Sequence, residues 1–242
     1  MSYKNKIAVV TGGASGFGYG IAKAFGARGA SVIIADINNE LGTTAAEELN
    51  SRFVYCDVSD IDSVKTLIDE LDRIDIFVNN AGVTHFPMAA ETVEEDEFER
   101  VYRTNMKSVY LTSKFVIPKM KAAGSGVILN IASTAGVSPR PNLSWYNASK
   151  GWMITATRSL AVELAPHNIR VNAINPVAGE TPLLATFMGG DTAENREMFL
   201  KTIPRGRFST PDDIANAACF LCSDDADMLT GVALEVDGGR CI

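Results

Sequence analysis

The sequence is poor in basic residues. Its 242 residues include 22 lysines and arginines against 29 aspartates and glutamates, which gives a formal net charge of -7 at pH 7. A surface that binds nucleic acid or an anionic membrane needs a basic patch to neutralise phosphate groups. We therefore expect no nucleic acid and no membrane among the partners, and we expect a small-molecule substrate.

Cysteine and histidine are also scarce, with four and two residues. The one close pair, Cys219 and Cys222, has the CxxC spacing of some redox and metal sites, but it lies in an apolar-rich stretch that predicts a helix. There is no second CxxC pair, and His85 and His167 are far away in the sequence. We expect two buried thiols and no metal site.

Long apolar runs and a signal-type cleavage site are absent as well. The composition, 46% hydrophobic and 21% charged, is ordinary for a globular protein. A chain of 242 residues suits one large domain that buries its own core. We expect a cytoplasmic protein with a single domain over residues 1–242.

What the sequence does contain is a regular alternation of short β-branched runs with helix-length amphipathic segments. The runs are nearly continuous in apolar character, which is typical of parallel strands buried on both faces. We expect an α/β fold with a single doubly wound (Rossmann) domain, in which a seven-stranded parallel sheet carries helices on both faces. The predicted strands are 7–11, 31–36, 53–57, 74–79, 127–133, 169–175 and 232–236. The predicted helices are 18–28, 39–49, 61–71, 93–121 with a break near Asn105, 144–165 and 211–221.

The least regular segment, residues 176–207, follows the sixth predicted strand and is interrupted by prolines and glycines. Open α/β sheets bind ligands at the carboxyl ends of their strands, and loops of this length are usually functional. We expect a substrate loop here, with one or two short helices.

A glycine-rich turn follows the first strand directly, where residues 11–18 read TGGASGFG. Glycines at this place let the chain turn tightly and bring backbone N–H groups to a pyrophosphate, which faces the N-terminal dipole of the next helix. Asp36 ends the second strand about twenty residues later, where a carboxylate accepts hydrogen bonds from a ribose 2′-hydroxyl. The alternative is that Asp36 only caps the following helix.

The residues around Asp36 predict NAD rather than NADP as the cofactor. The carboxylate would repel the 2′-phosphate of NADP. Ile37 follows it, and Ser15 rather than a basic residue precedes Gly16, so no cation is evident to receive that phosphate.

Tyr146 and Lys150 place a phenol and an ammonium group four residues apart in a predicted helix. Residues at this spacing share one helix face. A lysine close to a tyrosine hydroxyl favours the phenolate, so we expect the phenol to exchange its proton closer to neutral pH than usual. Tyr146 is therefore a candidate general acid/base.

Two further motifs are NNAG at residues 79–82, after the fourth strand, and Ser133 after the fifth. Together with the glycine turn and the pair Tyr146 and Lys150, they resemble the short-chain dehydrogenase/reductase family over essentially the whole chain, from residue 6 to residue 239. The resemblance implies an NAD(H)-dependent oxidoreductase. It would interconvert a secondary alcohol, such as a polyol, sugar or hydroxy acid, and the ketone by hydride transfer.

The resemblance also implies roles for individual residues. Tyr146 would exchange the hydroxyl proton, Lys150 would lower its pKa and hold the nicotinamide ribose, and Ser133 would hydrogen-bond the substrate oxygen. Asn105 would anchor a water in a proton relay to Lys150. The expected cofactor-binding residues are Gly12, Ser15, Gly16, Phe17, Gly18, Asp36, Ile37, Asp57, Val58, Asn79, Ala81, Gly82, Tyr146, Lys150, Pro176, Gly179 and Thr181.

One departure from the family pattern falls after the sixth strand, where the family usually has Pro-Gly and this chain reads PVAGET at residues 176–181. Val177 in place of glycine would narrow the approach to the nicotinamide. Gly179 falls where a β-branched residue is common, while Thr181 keeps its place as the carboxamide contact. The resemblance therefore does not determine the shape of the substrate pocket. The polar candidates for substrate recognition are His85, Arg140 and Glu180.

Two other functions stay open. Many family members of this length are 3-oxoacyl reductases acting on a carrier protein or on coenzyme A, and an acidic carrier protein needs cations to dock on. The turns at residues 122–126 and 165–168 contain neither lysine nor arginine. A non-catalytic NAD-binding sensor would be expected to lack one of the four catalytic candidates, and all four are present. The family also implies a homo-oligomer, either a tetramer or a dimer.

Overall fold

Seven parallel strands form one sheet in the computed structural model, which describes residues 1–242. The strand order is β3-β2-β1-β4-β5-β6-β7, so the chain reverses its direction of winding between β1 and β4. This confirms the predicted doubly wound sheet. The strands are β1 (Ile7–Thr11), β2 (Ser31–Asp36), β3 (Arg52–Tyr55), β4 (Ile76–Asn79), β5 (Gly126–Ile131), β6 (Ile169–Pro176) and β7 (Ala233–Val236).

Helices cover both faces of the sheet. The helices are α1 (Gly16–Ala27), α2 (Asn39–Glu48), α3 (Ile61–Asp69), α4 (Glu95–Tyr102), α5 (Ser108–Ala123), α6 (Ser144–Leu164), α7 (Leu184–Met188), α8 (Ala193–Leu200) and α9 (Pro211–Leu221). Side chains alternate along each strand, so neighbouring residues of β1 belong to different buried clusters. Val10 belongs to a cluster of 21 buried residues that includes side chains of α1, α2 and α9. Val9 belongs to a cluster of 19 that includes side chains of α3, α5 and α6 on the other face.

Two strands, β3 and β5, end two residues earlier than the sequence predicts, because a side chain at each carboxyl end starts a turn. Asp57 accepts hydrogen bonds from the backbone N–H and the hydroxyl of Ser59, at 2.8 and 2.7 Å, so β3 ends before it. Ser133 accepts a bond from the backbone N–H of Ala135 at 3.0 Å and begins a 3₁₀ turn. Such side chains compete with the strand for backbone partners.

The predicted break near Asn105 is confirmed. The long segment predicted as one helix consists of α4 and α5, separated by a π-helical turn, Arg103–Lys107. The segment predicted to be a substrate loop, residues 176–207, contains two short helices, α7 and α8, as expected. No helix has both the length and the apolar character that crossing a membrane requires.

The two cysteines with CxxC spacing are both buried on the sheet-facing side of α9 or just after it. Burial raises the pKa of the Cys219 and Cys222 thiols. They are therefore protonated packing groups at neutral pH.

The contact between α2 and β3 gives a stability prediction. A Cβ added at Gly42 would lie 2.1 Å from the ring of Phe53. In open surroundings Gly→Ala within a helix stabilises by up to about 1 kcal/mol, whereas overpacking a filled site costs about 1–3 kcal/mol. We expect Gly42→Ala to lower the free energy of unfolding in urea by about 1–2 kcal/mol.

Gly26→Ala is the matched control, because a Cβ there would meet nothing closer than Val32 at 3.9 Å. We expect this variant to be neutral or slightly more stable than the wild type. A Gly42→Ala protein as stable as the Gly26→Ala protein would contradict the prediction.

Candidate active site

A cleft of about 580 Å³ lies at the carboxyl ends of the strands, where β1 pairs with β2 on one side and with β4 on the other. Ligands of doubly wound sheets bind at this switch point. The structure brings most of the predicted site residues together here. Those lining the cleft are Gly12, Ser15, Gly16, Phe17, Asp36, Ile37, Asp57, Val58, Ala81, Gly82, Ser133, Tyr146, Lys150, Pro176, Gly179 and Thr181.

The glycine turn has the geometry of a phosphate cradle. Gly12 and Gly16 have φ angles of 61° and 54°, which residues with a Cβ rarely adopt. Gly18 does not line the cleft, contrary to its predicted role as a contact. A Cβ at Gly18 would lie 2.1 Å from the carbonyl oxygen of Gly12, so this glycine lets α1 pack against the turn.

Asp36 faces the cleft with its carboxylate partly engaged. Its Oδ2 accepts from the backbone N–H of Ala14 at 3.1 Å, and its Oδ1 accepts from that of Asn38 at 3.0 Å. A carboxylate has about four lone pairs, so two remain for ribose hydroxyls. The alternative that Asp36 caps the next helix is wrong, since Asn38 caps α2 by accepting from Leu41 N–H.

Of the two neighbouring asparagines, Asn80 lines the cleft, whereas Asn79 is the one expected to bind the cofactor. Asn79 does not line the cleft, because its amide donates to Asn130 Oδ1 at 2.8 Å and its Oδ1 accepts from the Thr112 hydroxyl at 2.7 Å. Asn80 does line it, and its amide donates to the carbonyl groups of Thr11 and Gly12 at 2.9 and 3.0 Å. The NNAG motif indicates that an asparagine lies at the cleft. The spacing of the motif does not show which of the two side chains points into the sheet and which points to the glycine turn.

Tyr146, Lys150 and Ser133 meet at the deep end of the cleft. Tyr146 and Lys150 are 6% and 5% exposed, and Lys150 Nζ lies 5.9 Å from the centre of the phenol ring. Lys150 Nζ donates to the carbonyl of Ile131 at 2.9 Å. The Ser133 side chain lies beside the phenol and acts to lower its pKa.

The pKa values of this pair differ from the expectation. Burial raises the pKa of Tyr146 to about 12, although the neighbouring Ser133 side chain opposes this. Burial also lowers the pKa of Lys150 to about 8. The phenol of the protein alone is therefore not shifted toward neutral pH, because the loss of hydration raises its pKa more than Ser133 lowers it.

Asn105 lies behind the wall of the cleft and does not line it. The π-helical turn directs it inward, so that it is fully buried. Its amide donates to the Val83 carbonyl at 2.8 Å and to the Ser149 hydroxyl at 3.0 Å, and its Oδ1 accepts from Val83 N–H at 2.9 Å. The Asn105 side chain thus holds the segment after Gly82 against α6. Asn105 is therefore placed to position other residues of the site rather than to contact a ligand.

The outer half of the cleft is apolar. Val177 is 4% exposed and packs in a cluster with Tyr146 and the helix α7. A Cβ at Gly179 would lie 2.3 Å from the ring of Phe17, so the phenylalanine fills the space that a β-branched residue would occupy. The two unusual residues of this segment therefore narrow the pocket without blocking it.

The polar candidates for substrate recognition lie elsewhere. His85 is fully buried and its Nδ1 pairs with the Phe86 carbonyl at 2.8 Å, while Glu180 is bound to Arg196 at 3.1 Å. Arg140 donates to the hydroxyl of Thr202 at 3.0 Å. None of His85, Glu180 and Arg140 lines the cleft. Among the lining residues that sequence reasoning missed are Val83, Arg100 and Thr104, which no motif indicates.

Comparisons with known proteins agree with this geometry. A family model described as enoyl-(acyl carrier protein) reductase matches residues 12–240. A 4-formylbenzenesulfonate dehydrogenase (TsaC1/TsaC2) of Comamonas testosteroni is 49% identical, with 100% of both chains covered. A galactitol 2-dehydrogenase of Agrobacterium fabrum is 40% identical, with 99% of both chains covered. The crystal structure of a 3-ketoacyl-(acyl-carrier-protein) reductase from Brucella melitensis, complexed with NADH, superposes with a TM-score of 0.94 at 47% identity and covers 100% of both chains.

The chain belongs to the short-chain dehydrogenase/reductase family. It is an oxidoreductase of that family, so the predicted family, fold and enzyme class are confirmed.

Lys150 gives a prediction about stability and pH. Its pKa falls from 10.5 to about 8 on folding, so between these values the unfolded chain binds more protons and stability rises with pH. Below pH 8 the full cost of burying the charge is present. We expect Lys150→Met to raise the free energy of unfolding at pH 7 by about 1–2 kcal/mol, while abolishing activity.

This advantage over the wild type should shrink as the pH rises toward 10, which urea unfolding at several pH values would measure. Lys119→Met is the control, because Lys119 also donates to a backbone carbonyl, that of Leu71 at 2.6 Å, but is less buried. Equal pH dependence in the wild type and Lys150→Met would contradict the assignment.

Proposed function

We propose that this protein interconverts a secondary alcohol and the ketone by NAD(H)-dependent hydride transfer, with Tyr146 as the acid/base. The observation that carries the proposal is the buried contact of Tyr146 with Ser133, next to Lys150, at the deep end of the cleft. Ser133 would hold the substrate oxygen while the phenol exchanges its proton. Lys150 would place a positive charge beside the phenolate that forms.

NAD fits the remainder of the cleft. The turn at Gly12 and Gly16 offers backbone N–H groups at the start of α1, and Asp36 keeps free lone pairs beside it. A Cβ at Gly82 would lie 3.4 Å from Lys150 Nζ, so this glycine leaves the ammonium group accessible. The bound nicotinamide would supply or accept the hydride, and the protein would orient it. The NADH complex of the Brucella melitensis relative supports the prediction of NAD as the cofactor.

The substrate would be a compact molecule with an apolar portion. Val177, Leu184 and Phe187 form the outer wall, and the polar candidates lie outside it. The relative named for 4-formylbenzenesulfonate, an aromatic aldehyde, supports a substrate with an apolar portion, and the relative named for galactitol, a polyol, supports a secondary alcohol as the reacting group. The Brucella melitensis relative is named as a 3-ketoacyl-(acyl-carrier-protein) reductase, so 3-oxoacyl reduction stays the second candidate.

A non-catalytic sensor of NAD is the alternative of another class. Such a sensor would be expected to lack one of Asn105, Ser133, Tyr146 and Lys150, because binding a nucleotide requires no proton exchange. All four residues are present, which supports catalysis.

The active form would be a homodimer or homotetramer. Large apolar side chains are exposed on the helices that flank the site, including Tyr110 on α5 and Trp152 and Val162 on α6, at 55%, 37% and 80%. Such surface is typical of interfaces.

Tyr146→Phe tests the acid/base role. A panel of secondary alcohols, ketones and aldehydes would first identify the best substrate with NAD(H). We expect the variant to lower kcat about 10³-fold because the ring loses the hydroxyl that exchanges the proton, while NADH binding changes little. Tyr55→Phe, at an exposed position of β3, is the control and should retain full activity. Undiminished turnover by Tyr146→Phe would overturn the mechanism.

Asp36 gives a prediction about the cofactor. Fluorescence titrations of NADH and NADPH side by side should show NADH binding about tenfold or more tightly, because the carboxylate repels the 2′-phosphate. Asp36→Asn keeps the shape of the side chain and removes its charge, so it should reduce the ratio between the dissociation constants of NADPH and NADH. Tighter binding of NADPH to the wild type would refute the role of Asp36.

A further inference from the structure

Two partly buried arginines, Arg140 and Arg240, differ from the others in having neither an ion pair nor a backbone carbonyl as acceptor for the guanidinium group. Arg28 and Arg170 donate to backbone carbonyl groups, and Arg158 and Arg205 are exposed to water, where a lone charge costs little. Arg140 and Arg240 are partly buried, yet neither forms an ion pair. The ion pairs of the other arginines are Arg52 with Glu70, Arg73 with Asp75, Arg100 with Glu97, Arg103 with Glu99, Arg196 with Glu180 and Asp191, and Arg207 with Asp213.

The two guanidinium groups converge on one corner of the molecule. Arg240 Nη1 donates to the Ser138 hydroxyl at 2.9 Å, only two residues before Arg140 in the chain. Arg140 Nη2 donates to the Thr202 hydroxyl at 3.0 Å. The backbone N–H of Arg205, three residues after Thr202, donates to the Gly238 carbonyl at 3.0 Å and so holds the C-terminal turn against this corner.

Most of the N–H donors of the two guanidinium groups have no acceptor within the protein. Each guanidinium group has five N–H donors, and a hydroxyl takes up one of them in each arginine. Arg240 Nε is buried with no partner at all. Burial is the main cause that lowers the pKa of Arg140 to about 10, and the charge of Arg240 adds to it.

The nearest acid in the sequence does not offset this charge. Asp237 uses Oδ1 to accept from the backbone N–H of Gly239 at 2.9 Å and Oδ2 to accept from that of Cys241 at 2.7 Å. It is not in ion-pair contact with Arg240. Glu235, which also lies in this region, is the acceptor for the Asn175 amide at 3.4 Å.

We propose that Arg140 and Arg240 form a binding site for a small oxyanion, of the phosphate, sulfate or carboxylate class, between the loop before α6 and the C-terminal turn. Planar guanidinium groups match the oxygen spacing of such anions and bind them through paired hydrogen bonds. The bound anion would neutralise two like charges that are partly removed from water, and it would give Arg240 Nε an acceptor.

This site is separate from the cleft. The Arg140 guanidinium stacks on Phe199 at 4.2 Å, Phe199 contacts Phe187 at 5.7 Å, and Phe187 contacts Tyr146 at 5.5 Å between ring centres. Two aromatic rings therefore lie between the anion site and the phenol. Because Phe199 and Thr202 belong to or adjoin α8, an anion on Arg140 would also hold the substrate loop against α6.

Thermal unfolding in sodium phosphate, compared with sodium chloride at equal ionic strength, tests the site directly. We expect phosphate to raise the Tm of the wild type by roughly 3 °C when its concentration is tenfold above the dissociation constant. Arg140→Gln and Arg240→Gln should lose this difference. Arg158→Gln removes the same charge from an exposed position of α6 and should keep it. An equal Tm in the two salts, or an undiminished phosphate effect in Arg240→Gln, would overturn the proposal.

If either glutamine variant fails to fold, Arg240→Lys supplies the test. It keeps the charge but loses the paired geometry, so the phosphate effect should fall by at least half, and a full effect would count against the site.

A kinetic comparison distinguishes whether the two arginines bind a free anion or an acidic group of the substrate. For a charged and a neutral substrate of the same carbon skeleton, Arg240→Gln should leave the ratio of KM values unchanged. A rise in KM confined to the charged substrate would show that the arginines belong to the substrate pocket and would refute a separate site. The phosphate measurement does not depend on the proposed reaction, so the two can fail independently.

Discussion

A small set of hydrogen bonds between the ends of β1 and β4 holds the cleft in shape. Thr11 Oγ1 donates to the Val78 carbonyl at 3.2 Å and accepts from the backbone N–H groups of Asn80 and Ala81 at 3.0 and 3.2 Å. The Asn80 amide donates in return to the carbonyl groups of Thr11 and Gly12. The strands cannot pair beyond this point because the chain turns away to opposite faces. These side chains therefore fix the glycine turn relative to the segment that borders Lys150.

The end of the cleft at Tyr146 and Lys150 depends on a second network of hydrogen bonds. Thr112, Asn79, Asn130 and Thr157 are joined by hydrogen bonds of 2.7 to 2.8 Å that run from α5 through β4 and β5 to α6. Because each buried polar group has a partner, the network is rigid and its position is specified. This rigidity lets α6 hold Lys150 in a site where its charge is unfavourable, which a loosely packed helix would relieve by moving the ammonium group to water.

The sequence was sufficient for the architecture, because strand and helix patterns are local. It also located the glycine turn, Asp36 and Tyr146, since their positions follow from the ends of strands and from helical spacing. The direction in which a polar side chain turns was not predictable. Asn79 and Asn80 are chemically identical neighbours, and only the pleat of β4 assigns one to the sheet interior and the other to the turn. The pKa of Tyr146 depends on burial, and α6, α7 and the segment at Val177 create this burial together.

The two ends of the cleft are held by interactions of different strength. The departure from the family pattern, at Val177 and Gly179, falls at the end that is held more weakly. Backbone and buried side-chain hydrogen bonds fix the cofactor end, so a substitution there would leave buried polar groups unpaired. Residues 176–207 instead pack through Phe187 and Phe199 and are held by the ion pairs of Arg196 with Glu180 and Asp191, all on the surface. Exposed ion pairs contribute little to stability, and apolar side chains exchange at small cost if volume is conserved. Phe17 and Gly179 are such an exchange, in which a large residue on α1 replaces the volume missing from the loop. The end of the cleft at Tyr146 and Lys150 is therefore built into the rigid part of the fold, whereas the end at Val177 and Gly179 can change without loss of the fold.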